Sequence, residues 1–172
     1  IGHKHLVFST VGDRRVFERL AQASVKPALA LSLHTTRPAL RRTLLPRAPD
    51  ISPEELVQLG EQYARLTHHP VQYQWTLLEG VNDGEDEIDG IVALLKDKYA
   101  VLNMIPYNTI PGLPFHRPAW DKARETARTL HRRGVLTKLR DSAGQEVDGG
   151  CGQLRARSAV NGEQVIALRR TV

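Results

Sequence analysis

Apolar residues along the chain fall into two rhythms that take turns. Short unbroken runs, the mark of buried strands, alternate with stretches whose apolar residues return every three or four positions, the mark of amphipathic helices. Residues 5–10 (HLVFST) are the first run, predicting a buried strand that delivers Ser9 and Thr10 at its C-terminal end. Gly12-Asp13 opens a helix through about Ala23, with Val16, Phe17, Leu20 and Ala21 on one face. Residues 28–33 are the second run, closing on Ser32-Leu33-His34. Thr36-Arg37-Pro38 then begins a short basic helix that stops before Pro46. Ser52-Pro53-Glu54-Glu55 reads as a helix start, with Ser at the N-cap, Pro at the first helical position and Glu at the third. Leu56, Leu59, Tyr63 and Leu66 carry that helix forward.

Residues 71–78 (VQYQWTLL) predict the third strand, and a turn cluster at 79–84 leaves it. Ile88, Ile91, Val92 and Leu95 mark the next helix. Residues 99–107 predict the fourth strand, ending at Asn108, and three prolines with a glycine make 109–118 a loop. Trp120, Ala123, Ala127 and Leu130 give a basic amphipathic helix, stopped by Gly134. Residues 135–140 are the last strand, leading toward Cys151. Strands alternating with helices predict an α/β fold with a parallel sheet. Its strands end in polar residues: Ser9, Ser32 with His34, Asn108, and Arg140 with Ser142. In parallel sheets the functional site lies at those C-terminal ends, so the expectation is one polar rim.

Length suits one domain, and 41% hydrophobic with 25% charged residues describes a globular chain. No apolar run approaches the ~20 residues of a membrane span, so no membrane partner is expected. A single Cys excludes an intrachain disulfide and makes a reducing, cytoplasmic setting the default. The chain starts at Ile1 almost directly on a strand-like run, which suggests a preceding part. Charge changes the picture more. The net charge is +5, yet Glu79 to Asp97 holds seven acids against one Lys. Arg117 to Arg140 holds eight basic residues against two acids, and Arg37 to Arg47 holds four Arg and no acid. Such segregation is what a phosphate backbone selects, although a solvated helix face produces it too. Aromatics at 5% argue against a stacking platform for single strands.

Cys151 stands among Gly149, Gly150 and Gly152. A lone cysteine reads first as a small buried hydrophobe. Glycines on both sides leave its sulfur unscreened, which is the setting a nucleophilic thiol needs.

Five stretches together resemble a known family. FSTVG (8–12), ALALSLHTTRPALRRTLLP (28–46), TLLEGVND (76–83), LNMIPYN (102–108) and VDGGCGQL (147–154) stand in its order and close to its spacing. The chain resembles the RlmN/Cfr-type radical-SAM RNA (adenine-C2) methyltransferases over about residues 6 to 155. The resemblance implies the later part of a partial (β/α) barrel, spanning residues 1–155 with the reactive-cysteine loop, followed by a basic tail at 156–172. It implies S-adenosylmethionine contacts at Ser9, Ser32, Leu33, His34 and Asn108, and a methyl-carrying role for Cys151. Adenine carbon 2 is not nucleophilic, so the family first methylates the cysteine sulfur. A deoxyadenosyl radical, made from S-adenosylmethionine at a 4Fe-4S cluster, then takes a hydrogen from that methyl group. Implied partners are ribosomal RNA, with transfer RNA as a second substrate, and an electron donor such as flavodoxin. The full-length protein is expected as a monomer. Arg41, Arg42, Arg132, Arg133 and Arg140 are the expected RNA contacts.

Departures from the family pattern matter. The cluster-binding CxxxCxxC loop, the GMGEP-like cofactor loop and the resolving cysteine stand upstream in the family, so cluster ligands are expected outside this chain. Gln74 replaces a common Glu, and LRDSAGQ (139–145) replaces a more basic stretch. The alternative is a catalytically inactive remnant that binds RNA or S-adenosylmethionine. A third reading is an unrelated basic α/β domain with a structural Cys.

Overall fold

Strands and helices alternate throughout the part of the chain that a computed structural model describes, residues 6–110 and 112–140. In chain order these are β1 (Val7–Thr10), α1 (Arg14–Gln22), β2 (Ala28–Ser32), α2 (Pro38–Leu44), α3 (Pro53–Thr67), β3 (Val71–Leu77), α4 (Glu85–Leu95), β4 (Ala100–Pro106), α5 (Trp120–Arg132) and β5 (Thr137–Leu139). The helix starts follow local chemistry. Asp13 accepts the Arg15 N–H at 2.9 Å, and Ser52 accepts the Glu55 N–H at 3.1 Å. Pro38 and Pro53 supply the fixed φ of a first turn.

All strand pairings are parallel, and the spatial order β1-β2-β3-β4-β5 is the chain order. Right-handed crossovers between neighbours carry α1, α3, α4 and α5 to one face. Leu31, Tyr73 and Leu102, partners across three strands, pack there against Leu56, Ile91 and Leu130. One residue along, the pleat turns to the opposite face. Ser32, Gln74, Asn103 and Lys138 form a polar row across that face in consecutive register. The fold is therefore α/β, with parallel strands alternating with helices, as expected.

One expectation fails. The HLVFST run predicts a buried strand, but Val7 and Phe8 are 52% and 41% exposed. Among the described residues β1 is an edge with β2 as its sole neighbour, so its apolar side chains find no second wall. Ser142, Cys151 and the 156–172 tail lie outside the described residues.

Helix α3 lies close to the sheet through Gly60. A Cβ built there collides with Tyr73 Oη and comes within 3.2 Å of Leu31 Cδ1. Two effects then compete in Gly60→Ala. Helix propensity favours Ala by about 1 kcal/mol, and overpacking a rigid, buried tyrosine costs about 1–3 kcal/mol. The second dominates. Gly60→Ala in the full-length protein is expected to lower stability by up to about 2 kcal/mol in urea unfolding, where an exposed helix glycine would gain stability.

Candidate functional site at the strand rim

Parallel order sets the C-terminal ends of β1 to β5 along one edge. The chain leaves β2 at Ser32 and reaches α2 at Pro38, so residues 33–37 form a tight turn on that edge. His34 adopts φ 63°, a left-handed conformation that costs a non-glycine residue on the order of 1–2 kcal/mol. The surroundings fix it there. Its Nδ1 accepts the Thr76 N–H at 3.0 Å, and its carbonyl accepts Asn82 Nδ2 at 2.7 Å. Asn82 also donates to Thr76 O at 2.8 Å and accepts the Leu78 N–H at 2.7 Å. This one buried amide closes main-chain groups that the sheet ladder no longer reaches.

Because Nδ1 is an acceptor, the imidazole proton sits on Nε2. Burial, and then the Arg41 charge, bring the His34 pKa down to about 4, so the ring is neutral at pH 7. His34 and Thr76 line a cavity of about 180 Å³ with Leu44, Leu45, Leu78, Tyr107 and Phe115. Tyr107 meets Phe115 edge to face, with ring centroids 6.2 Å apart. A largely apolar, partly aromatic chamber with a neutral donor suits a heteroaromatic or sulfonium-bearing ligand better than a bare anion.

Of the sequence-derived residues that are described, only His34 is among those lining this cavity; the others stand elsewhere along the strand ends. Ser32 ends β2. Leu33 is fully buried in the helix-side core, so only its main chain is left to face the rim. Asn108 stands two residues beyond β4 and accepts Arg117 Nη1 at 3.0 Å. Ser9 pairs with Ala30 and so lies lower on the wall than Ser32. Arg140 follows β5, its N–H on Met104 O at 2.8 Å.

The expected basic contacts divide. Arg41 is corrected from an RNA contact to an internal brace, being 3% exposed. Its guanidinium donates to Val11 O at 2.5 Å and Ser32 O at 3.1 Å, tying the ends of β1 and β2 together. Arg42 is exposed, 3.7 Å from Asp50. Arg132 meets Glu125 and Arg133 meets Asp89, each at 2.7 Å and each with solvent access. Arg124, Arg128, His131 and Arg132 edge a groove of about 370 Å³ beside Thr137 and Leu139 of β5.

Sequence reasoning passed over Asn82, Glu87 and Asp83. Each is buried and polar, and each reads in sequence as an ordinary turn or helix-start residue. Asp83 accepts Lys122 Nζ at 2.5 Å and the Gly80 N–H at 2.8 Å, pinning α5 to the β3–α4 turn. The signal available was the position of Asn82 and Asp83 directly after a strand that ends at the rim.

No family model matches the chain. Curated proteins do. A probable RNA methyltransferase of Methylibium petroleiphilum is 73% identical over 158 residues, which cover 92% of this chain and 45% of that protein. One of Aromatoleum aromaticum is 72% identical, covering 94% of this chain and 46% of its own length. The chain thus spans about half the length of the curated relatives it matches. Among solved structures, a radical SAM methyltransferase from Sphaerobacter thermophilus aligns with TM-score 0.80 and 31% identity, over 91% of this chain and 46% of that one. A domain of a pyruvate-formate lyase-activating enzyme from Bacteroides vulgatus shares the fold alone, at TM-score 0.60 and 16% identity over 78% of this chain and 80% of that one. In sequence the chain is similar to one portion of proteins named probable RNA methyltransferases, and its α/β sheet has the fold of a radical SAM methyltransferase.

Proposed function

We propose that this chain is the later barrel portion of a radical-SAM RNA methyltransferase that modifies an adenine ring carbon, carbon 2, in ribosomal RNA, with transfer RNA as a second substrate. The observation that carries the reading is the 73% identity to a probable RNA methyltransferase across 92% of the chain. The rim chamber supports it. Ser9, Ser32, the main chain of Leu33, His34 and Asn108 are the residues proposed to hold S-adenosylmethionine. Bound there, that molecule supplies an electrophilic methyl group and the precursor of a carbon radical. His34 offers a neutral Nε2–H, and the aromatic pair Tyr107–Phe115 offers a face for a base.

A 4Fe-4S cluster does not fit the residues present. Among the described residues no group of three His, Cys, Asp or Glu stands ready to hold a metal, and the sequence holds one Cys. The proposal assigns cluster ligation to residues outside this chain. Cys151 is proposed to accept a methyl group from a sulfonium donor. Its thiolate sulfur forms the new S–C bond as the donor's C–S bond breaks, and the thiol proton passes to solvent. The methylated sulfur then holds the group destined for RNA.

Three outcomes test this reading in the full-length, cluster-loaded protein. Cys151→Ser keeps size and polarity but not thiolate nucleophilicity, so RNA methylation is expected to vanish. Wild-type peptide mass spectrometry is expected to find a methyl group on the Cys151 peptide. Substantial methylation by the Ser variant would return Cys151 to a structural role.

Charge reversal at Arg132 and Arg133 is expected to weaken RNA binding and flatten its dependence on salt, by about one unit of slope for each phosphate that is no longer neutralised. An unchanged slope would assign that end of α5 to solvent.

The neutral state of His34 makes a pH prediction. Its folded pKa of about 4 lies below the ordinary 6.5, so between those values the unfolded chain binds more protons. The corresponding stability is complete above pH 6.5 and is lost as pH falls toward 4, by up to about 3 kcal/mol. His34→Asn tolerates the left-handed backbone and retains an acceptor for Thr76. Urea unfolding of this variant at pH 7 and pH 4.5 is expected to show a smaller acid loss than the wild type.

A further inference from the structure

Glu87 is the third residue of α4, where an acid ordinarily serves the helix dipole from the surface. Here its side chain is 1% exposed, and neither oxygen turns to its own helix. Oε1 accepts the Thr35 hydroxyl and Arg37 Nε, the latter at 3.1 Å. Oε2 accepts the Thr36 N–H at 2.8 Å and the Thr36 hydroxyl at 2.6 Å. One buried carboxylate thus gathers four donors from three consecutive residues about 50 positions earlier in the chain. Thr35 is itself fully buried, and its hydroxyl oxygen accepts the Arg37 N–H at 3.1 Å. One turn along α4, a Cβ on Gly90 would stand 2.8 Å from Thr36 Cβ, so helix and turn are in direct contact.

These residues follow His34 immediately. Its left-handed φ is held on the sheet side by Asn82 and Thr76, and on the helix side the chain is anchored at its very next residues by Glu87. We propose that Glu87 is a positioning residue for the S-adenosylmethionine site: by fixing residues 35–37 it sets the placement of Ser32-Leu33-His34 at the rim. This rests on the reading of that rim given above. Arg37 reinforces the bracket, since its Nη2 also donates to Val81 O at 2.5 Å and joins the two connections.

The test uses the full-length, cluster-loaded protein with Glu87→Gln, Glu87→Ala and, as a control, Ile91→Ala in the apolar face of the same helix. Equilibrium binding of S-adenosylmethionine, amide hydrogen exchange at Thr36, urea stability and steady-state kinetics are measured together. Glutamine fills the same space, but its amide must face either the Thr36 N–H or Arg37 Nε, leaving one of these donors without its acceptor. Its affinity for S-adenosylmethionine is expected to fall on the order of tenfold, and that of the Ala variant further. Thr36 amide exchange is expected to speed up in both, while kcat at saturating S-adenosylmethionine stays within about threefold, the KM–kcat split of a residue that acts through another. Ile91→Ala, at a comparable loss of stability, is expected to keep wild-type affinity. Wild-type affinity in both Glu87 variants, or an equal loss in Ile91→Ala, overturns the assignment. A wild-type protein that fails to bind S-adenosylmethionine overturns the functional reading instead. In that event Thr36 exchange in Glu87→Gln still decides whether Glu87 fixes the turn.

Discussion

An all-parallel sheet whose strands lie in chain order leaves its helices little choice of side. Each right-handed crossover between neighbours returns over the same face, so α1, α3, α4 and α5 form a single layer, while α2 stays at the rim with Leu44 beside His34. The sequence must then make every strand apolar on one side and free on the other. Alternation in β3 does this plainly: Val71, Tyr73, Trp75 and Leu77 are buried toward the helices, while Gln72, Gln74 and Thr76 are half-buried on the far side. The same arrangement sets all five strand exits along one edge. The polar row and the polar rim are therefore consequences of one topological constraint, not separate features needing separate explanations.

At that edge the hydrogen-bond ladder ends, and its last main-chain groups need other partners. The β3–α4 connection and the first turn of α4 supply them. Asn82 closes three main-chain groups on two strand exits, and Glu87 closes the turn that follows. Buried polar groups of this kind favour one arrangement strongly, because any alternative leaves donors and a carboxylate without partners in a dry setting. The stretches TLLEGVND and HTTR thus act as a pair, each holding the other at the rim.

The sequence disclosed what local chemistry decides. Ser52 caps α3, prolines open α2 and α3, and Gly134 with φ 90° follows α5, all as the pattern predicts. It also disclosed which residues stand at the strand exits, because a strand's end is visible from its own residues. Destinations set by distant partners stayed hidden. Arg41 looks like a solvent-facing base until the carbonyls of Val11 and Ser32 are seen beside it. Glu87 looks like one more acid in an acidic run until Thr35 and Thr36 arrive from another connection. The exposure of β1 was hidden for the opposite reason. Its residues suit a buried strand, and only the sheet order reveals that one neighbour is missing among the described residues.

Charge segregation in sequence likewise gives way to a different distribution in space. Four of the seven acids between Glu79 and Asp97 turn inward or across helix seams. Asp83 takes Lys122, Asp86 lies 3.5 Å from Arg37, Glu87 takes Arg37, and Asp89 takes Arg133. The acidic run is thus largely matched to the two basic stretches, and it removes Arg37 and Arg133 from the unpaired positive surface. Arg41 is removed by burial. What persists on the outside, besides Arg42, is the α5–β5 groove, where Arg124, Arg128 and Arg132 pair with Asp121 and Glu125 of their own helix. Exposed pairs of this kind are worth about 0–1 kcal/mol. A phosphate that displaces Glu125 from Arg132 therefore gives up little and gains a denser charge to bind. This groove gathers more exposed arginine than the arginine-rich helix that the linear sequence puts first, where burial takes Arg41 and Glu87 takes Arg37.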